Sequence, residues 1–306
     1  MKWTVNSIPS QKGRRVLLTG ANSGLGFQAA LELARKGAEI ILPARSRAKA
    51  EDAVARIRAQ LPDAQLVPAV LDLASLASVR EFAAFFAGRF PGESIDLLIN
   101  NAGVMALPTR EVTEDGFERQ FATNFLGPFA LTALLFPQLK SRAGTRVVCL
   151  GSVVVHDARI DFDNLQSERR YGPFTETYSQ SKLADVVFAL ELQRRLSAAK
   201  SPIASMAAHP GLSATNLTQN MSWLLRSIAP IVMPLIGQSA AQGALPELYA
   251  ATAPEAAPGG YYGPDGRKEQ RGHPVPARLP PAASDAALAR RLWDTAERLT
   301  GVEFRI

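Results

Sequence analysis

Thr19-Gly20-Ala21-Asn22-Ser23-Gly24-Leu25-Gly26 follows directly on the aliphatic run Val16-Leu17-Leu18 and opens a segment with Leu25, Ala29, Ala30, Leu33 and Ala34 at helical spacing. A strand, a glycine-rich turn and a helix in that order form a phosphate-binding device. Glycines permit a tight turn and a close backbone approach, and a pyrophosphate then lies on the positive end of the helix dipole. The stretch therefore predicts that Gly20, Asn22, Ser23, Gly24, Leu25 and Gly26 hold a nucleotide.

Outward from this turn, short aliphatic or β-branched runs alternate with longer segments of helical period. Strands are expected over Val16–Leu18, Glu39–Leu42, Gln65–Val70, Leu97–Ile99, Arg146–Leu150 and Ile203–Ala208. Helices are expected over Gly24–Lys36, Arg47–Leu61, Ser75–Phe90, Asp115–Leu139, Thr177–Ser197 and Ser284–Leu299. Helices of that length between strands suit right-handed crossovers, so the pattern predicts an α/β fold with a doubly wound parallel sheet. No linker or repeat interrupts it, and residues 1–306 read as a single domain with a core at about 14–210. From Gly211 the rhythm breaks. Met221–Gly237 is apolar but carries Arg226, Pro230 and Pro234, and Ala253–Pro281 is rich in Pro and Gly, so neither reads as a regular core element. Residues 211–283 are expected to form a substrate lid and C-terminal extension, and 284–306 a closing helix.

The 306 residues are 47% hydrophobic and 20% charged, ordinary for a folded catalyst or binder. Lys and Arg number 34 against 28 Asp and Glu, giving +6, but the basic residues are scattered rather than set in a stripe with aromatics. Nucleic acid is therefore not an expected partner. Cys149, the single cysteine, lies in Val147-Val148-Cys149-Leu150 and reads as a buried structural thiol. The N-terminal residues lack the apolar stretch of a signal peptide and no apolar run approaches the ~18 residues of a membrane span, so a cytoplasmic location is expected. His156 and His273 have no metal-ligand spacing with cysteine or carboxylates, and no metal site is expected. His209 reads as a packed turn residue.

At the end of the second strand, an NAD-selecting fold places an acidic side chain for the ribose hydroxyls. Ala44 and Arg45 stand there instead. Arg45 offers a fork of donors suited to a 2′-phosphate and Ser23 adds a hydroxyl, so NADP(H) is the expected cofactor. Farther on, Tyr178-Ser179-Gln180-Ser181-Lys182 sets Tyr and Lys at i and i+4, on one face of a helix. A phenol ordinarily titrating near ~10 is a poor base, and a neighbouring ammonium is expected to lower that value so that Tyr178 can exchange a proton with a substrate oxygen. Ser152, just past the fifth strand, could hydrogen-bond the same oxygen.

The Thr-Gly-x3-Gly-x-Gly spacing and the Tyr-x3-Lys pair resemble the short-chain dehydrogenase/reductase family over about residues 14–215, which implies a Rossmann fold. The resemblance also implies further positions. Asp72 and Leu73 would contact adenine, and Asn101, Ala102 and Gly103 would form the turn after the fourth strand. Asn124 would anchor a water-linked relay to Lys182, completing a catalytic set of Asn124, Ser152, Tyr178 and Lys182. Tyr178 and Lys182 would also touch the cofactor, with Pro210 and Gly211 beside the nicotinamide and Thr215 at its carboxamide. A homodimer or homotetramer is the family expectation; an apolar helix such as Thr177–Ser197 could pair across a two-fold axis or pack within a monomer.

Within the family, Gly20–Gly26, Ser181-Lys182-Leu183-Ala184, Asp161-Phe162-Asp163-Asn164-Leu165, His209-Pro210-Gly211 and Gly259-Gly260-Tyr261-Tyr262-Gly263-Pro264 resemble the retinol-dehydrogenase and protochlorophyllide-reductase branch. The expected activity is interconversion of a carbonyl and an alcohol on a hydrophobic small molecule. C=C reduction, or NADP(H) sensing without turnover, are the alternatives. Met221–Gly237 could be a lid, an interface or a shallow membrane-docking segment rather than a span.

Overall fold

Among the described residues, eight short strands line up side by side in one sheet, in the order β3-β2-β1-β4-β5-β6-β7-β8. The fold is taken from a computed structural model that describes residues 2–92, 94–213 and 237–306. The strands are β1 Arg15–Leu18, β2 Glu39–Ala44, β3 Leu66–Val70, β4 Leu97–Asn100, β5 Arg146–Leu150, β6 Ala204–Ala208, β7 Tyr261–Pro264 and β8 Pro274–Pro276. All pairings are parallel except β7 with β8. This is the doubly wound Rossmann arrangement, and the strand order reverses between β1 and β4.

Alternation along the strands builds two cores. Val147 and Cys149 of β5 face one side with Leu17, Ile41 and Leu98, under α3 (Leu76–Arg89), α5 (Gly127–Leu135), α6 (Thr177–Ala198) and α9 (Ala286–Thr300). Val148 and Leu150 face the other side with Val16, Leu18 and Ile40, under α1 (Gly24–Arg35), α2 (Arg47–Arg58) and α8 (Leu245–Thr252). Hydroxyl and carboxylate caps set the helix starts: Ser46 accepts from Lys49 N, Ser75 from Ser78 N, and Asp285 from Ala287 N and Leu288 N. Proline marks both edges. Pro68 lies in β3 and Pro274 and Pro276 in β8, where a missing N–H removes no ladder bond and discourages edge pairing.

Two features depart from the sequence pattern. The segment expected as one helix over Asp115–Leu139 begins only at α4 (Arg119–Phe121), because Val112 bridges Glu118 and Thr113 N donates to Phe117 O around a turn at Gly116. It then widens into a π turn at Ala122–Leu126 before α5, and Pro137 ends it in a 3-10 turn over Phe136–Gln138. The Pro- and Gly-rich stretch 253–281, expected to be irregular, supplies β7 and β8, and the short α7 (Ala240–Gly243) and α8 complete the face beside them.

Every residue of α6 from Thr177 to Leu192 is buried. The cover comes from the chain itself. Trp293 of α9 meets Phe188 with ring centroids 5.8 Å apart and Phe129 at 5.2 Å, and Phe304 stacks on Trp293 at 4.8 Å. Rings of this size contribute about 2–3 kcal/mol each by burial, so α9 is a structural part of the fold.

Candidate active site

A cavity of about 390 Å³ opens at the carboxyl ends of the strands, where the strand order reverses. Gly20, Asn22, Ser23, Gly24, Leu25 and Gly26 line it together with Arg45, Asp72, Leu73, Asn101, Ala102, Gly103, Tyr178, Lys182 and Pro210. The fold thus brings together residues spread over most of the chain. Its walls also include Pro43, Lys49, Val104, Arg119, Thr123 and Gly151, which the sequence did not single out. Asn124, Ser152 and Gly211 are not among the lining residues, and Thr215 and residues 221–236 of the apolar segment lie outside the described residues.

The glycine turn is locked to the turn after β4. Thr19 Oγ1 accepts from the amides of Asn101 and Ala102, both at 3.1 Å, and Asn101 Nδ2 donates to Thr19 O at 2.7 Å. A Cβ on Gly26 would stand 2.3 Å from Asn101 Nδ2, and one on Gly20, at φ +71°, would stand 2.8 Å from Ala102 Cα. These glycines are therefore required by the protein's own packing as well as by any ligand. Ser23 occupies the N-cap of α1, but its hydroxyl accepts none of the first amides, leaving that helix end open to an anion. Arg45 and Lys49 line the far end of the cavity with no ion pair among the described residues. This donor set fits a nicotinamide dinucleotide: backbone amides for a pyrophosphate and cations beyond β2.

Tyr178 lies in the first turn of α6, 5% exposed, with Phe174 stacked on its ring at 5.7 Å. Burial pushes its phenol up to about 12, against the pull of a hydrogen bond with the Ser152 hydroxyl, so the group is protonated at neutral pH. Ser152 also caps the 3-10 turn Val153–Asp157. Lys182 shares the cavity wall, as the i, i+4 spacing requires, but its ammonium donates to the Leu150 carbonyl and pairs with Asp185 Oδ2 at 3.8 Å. The expected depression of Tyr178 by this ammonium is not found: burial, joined by the Asp185 charge, raises the phenol instead. Asn124 sits in the π turn, fully buried; its Nδ2 donates to Val104 O and Ser181 Oγ, both at 2.9 Å, and its Oδ1 accepts from Val104 N at 2.8 Å. The amide ties the loop after β4 to α6, and π turns recur where a helix must present a group out of register.

One cluster escaped the sequence reading. Glu269 Oε2 lies 2.9 Å from His209 Nε2 and 3.2 Å from His156 Nε2, bridging the ends of β6 and β5. Gly211 N donates to His209 Nδ1, which assigns the proton to Nε2 and makes it the donor to Glu269. The bond from His209, with the Arg278 amide and His156, holds the Glu269 carboxyl down at about 2. Within Arg267-Lys268-Glu269-Gln270-Arg271 nothing distinguishes this glutamate from a solvated charge.

Among the described residues no helix is long and apolar enough to cross a membrane. The model of the short chain dehydrogenase family matches residues 14–223. Retinol dehydrogenase 13 of Homo sapiens is 42% identical over 298 residues, covering 95% of this chain and 86% of its own. Polyprenol dehydrogenase of Mus musculus is 40% identical over 299 residues, covering 96% and 86%. Among solved structures, an uncharacterised protein from Mycobacterium paratuberculosis is similar with a TM-score of 0.82 at 40% identity, covering 100% of both chains.

Proposed function

The chain belongs to the short-chain dehydrogenase/reductase family, and from that premise we propose that this retinol dehydrogenase-like oxidoreductase uses NADP(H) to interconvert a carbonyl and an alcohol on a hydrophobic small molecule. The observation that carries the reading is that Tyr178 and Lys182 line the same cavity as the glycine turn and Arg45. A bound nicotinamide supplies or accepts the hydride. Tyr178, a neutral phenol in this setting, gives its proton to the substrate oxygen in the reducing direction, and the Ser152 hydroxyl, close enough to act on the phenol, orients that oxygen. Lys182 supplies positive charge beside the reacting groups, and Asn124 fixes the loop that faces them.

Support for NADP(H) over NAD(H) comes from the end of β2, where Arg45 and Lys49 present cations and Ala44 stands in place of a carboxylate. Support for an apolar substrate comes from the relatives, whose names give retinol and a polyprenol, both long isoprenoid alcohols. The test follows NADPH absorbance with all-trans-retinal, farnesal and short aldehydes, NADH in parallel. Turnover preferring NADPH and the long aldehydes is expected, and Tyr178→Phe should lose roughly 10²–10⁴-fold in kcat while still binding NADPH. Wild-type turnover by Tyr178→Phe would overturn the mechanism.

A further inference from the structure

Behind the cavity wall, ionisable groups crowd around Lys182 within the buried core. Asp185, three residues along α6, is 1% exposed; its Oδ2 lies 3.8 Å from the ammonium and its Oδ1 has no hydrogen-bond partner. The Cys149 thiol of β5 lies close enough to Asp185 for each to shift the other's affinity for its proton. Cys149 Sγ in turn accepts from Asn100 Nδ2 of β4 at 3.8 Å, and the same Nδ2 donates to Thr132 Oγ1 of α5 at 3.0 Å. A line of polar atoms therefore runs from α5 across two strands to Lys182. From α8, Glu247 is fully buried with both carboxyl oxygens unpartnered, within reach of the Lys182 charge.

For stability alone this arrangement is unfavourable, because a buried carboxyl short of hydrogen bonds is destabilising where an alanine or valine, like neighbouring Ala184 and Val186, would pack without penalty. The fold instead keeps a carboxyl against the one ammonium that reaches the cavity wall beside Gly103 and Leu150. We propose that Asp185 is a positioning residue for Lys182, holding its ammonium charged and aimed into the cofactor cavity, and is itself held by the Cys149–Asn100–Thr132 line. The inference rests on the reading above, in which Lys182 works in its charged form beside Tyr178.

The titratable groups that act on Lys182 are Asp185 on its own helix, Cys149 from β5 and Glu247 from α8, and Tyr178 lines the same cavity. Burial pulls Lys182 down from its ordinary value, and Asp185 is the largest opposing influence. Burial lifts Asp185 to about 7 and Glu247 to about 8, while Lys182 pulls both the other way. Their negative charge thus appears from about neutral pH upward and opposes loss of the Lys182 proton.

The experiment titrates NADPH binding by fluorescence, and kcat with the best carbonyl substrate, from about pH 6 to about pH 10, with melting temperature alongside, for wild type, Asp185→Asn and Asp185→Glu. Asp185→Asn keeps the shape and removes the charge. It should fold and melt no lower than wild type, while the alkaline limb of NADPH binding and of kcat moves down by about one pH unit or more, and Asp185→Glu restores it. An unmoved limb would overturn the proposal. So would a loss of binding and activity at all pH values together with a lower melting temperature, which marks a merely structural residue. Tyr178→Phe in the same series separates the two readings: if it keeps full turnover the proposed mechanism fails, and the NADPH-binding limb still decides the link between Asp185 and Lys182.

Discussion

Asp96 and Asp185 are both buried carboxyls, 0% and 1% exposed, at opposite ends of the sheet, yet the fold treats them in opposite ways. Asp96, just before β4, accepts from Arg15 N at 2.8 Å, from Lys140 Nζ at 2.7 Å and from Arg142. Burial alone would raise it, but these donors outweigh burial and hold it below its ordinary value. At the cavity end, Asp185 and Glu247 have unpartnered oxygens and are lifted. A saturated buried carboxylate ties strand ends together; an undersaturated one weakens the fold and persists where its charge serves something else. The amino ends of the strands thus carry stability and the carboxyl ends carry the proposed chemistry.

The contrast can be broken most forcefully at Asp96. Asp96→Ala should lower unfolding free energy by about 3 kcal/mol in urea denaturation at neutral pH, through loss of charge-assisted bonds. A depressed carboxyl contributes stability that is present above its ordinary value and lost as pH falls, so variant and wild type should converge in acid. Equal stabilities at neutral pH would show that the saturated end is not the stabilising one.

Glu247→Gln sharpens the other side with a smaller effect of opposite sign. A carboxyl raised from 4.5 to about 8 contributes stability in acid that is lost as pH rises through that window. The glutamine variant should therefore be more stable than wild type by about 1–2 kcal/mol near pH 8, and thermal melts should show the gain shrinking toward pH 5. Part of the gain is cancelled because a buried amide also wants partners.

The smallest effect is expected at Glu269, which sits at the cavity end but is saturated like Asp96. Its carboxyl is held at about 2, so its contribution is present above the ordinary 4.5 and lost as pH falls toward about 2. Being 23% exposed, its side chain is partly screened, and Glu269→Gln should cost about 1 kcal/mol near neutrality. A pH-independent loss would mean that packing rather than charge joins the ends of β5 and β6.

How far these features could be read in advance depended on whether their partners are near in sequence. Gly20–Gly26 and Tyr178-x3-Lys182 were legible because a turn and one face of a helix are defined by spacing. Tyr261–Pro264 was not, because a Tyr-Tyr-Gly-Pro run after two glycines looks like a loop until β6 is there to pair with it. Asp185 reads as an unremarkable acid in a helix, and Glu247 and Glu269 as solvated charges, because burial is a property of what packs around a residue. The π turn that presents Asn124 left no periodic trace within a segment that reads as helix throughout.

The sequence by itself determined the doubly wound sheet, the nucleotide-binding turn and the placing of Tyr178 and Lys182 on one helix face, since each follows from local periodicity and hydrogen-bonding geometry. Only the tertiary structure decided that α9 covers α6, that burial rather than Lys182 governs the Tyr178 phenol, and that Asp185 and Glu247 face an ammonium instead of water. Solvation and charge act through space, over distances that chain separation does not record.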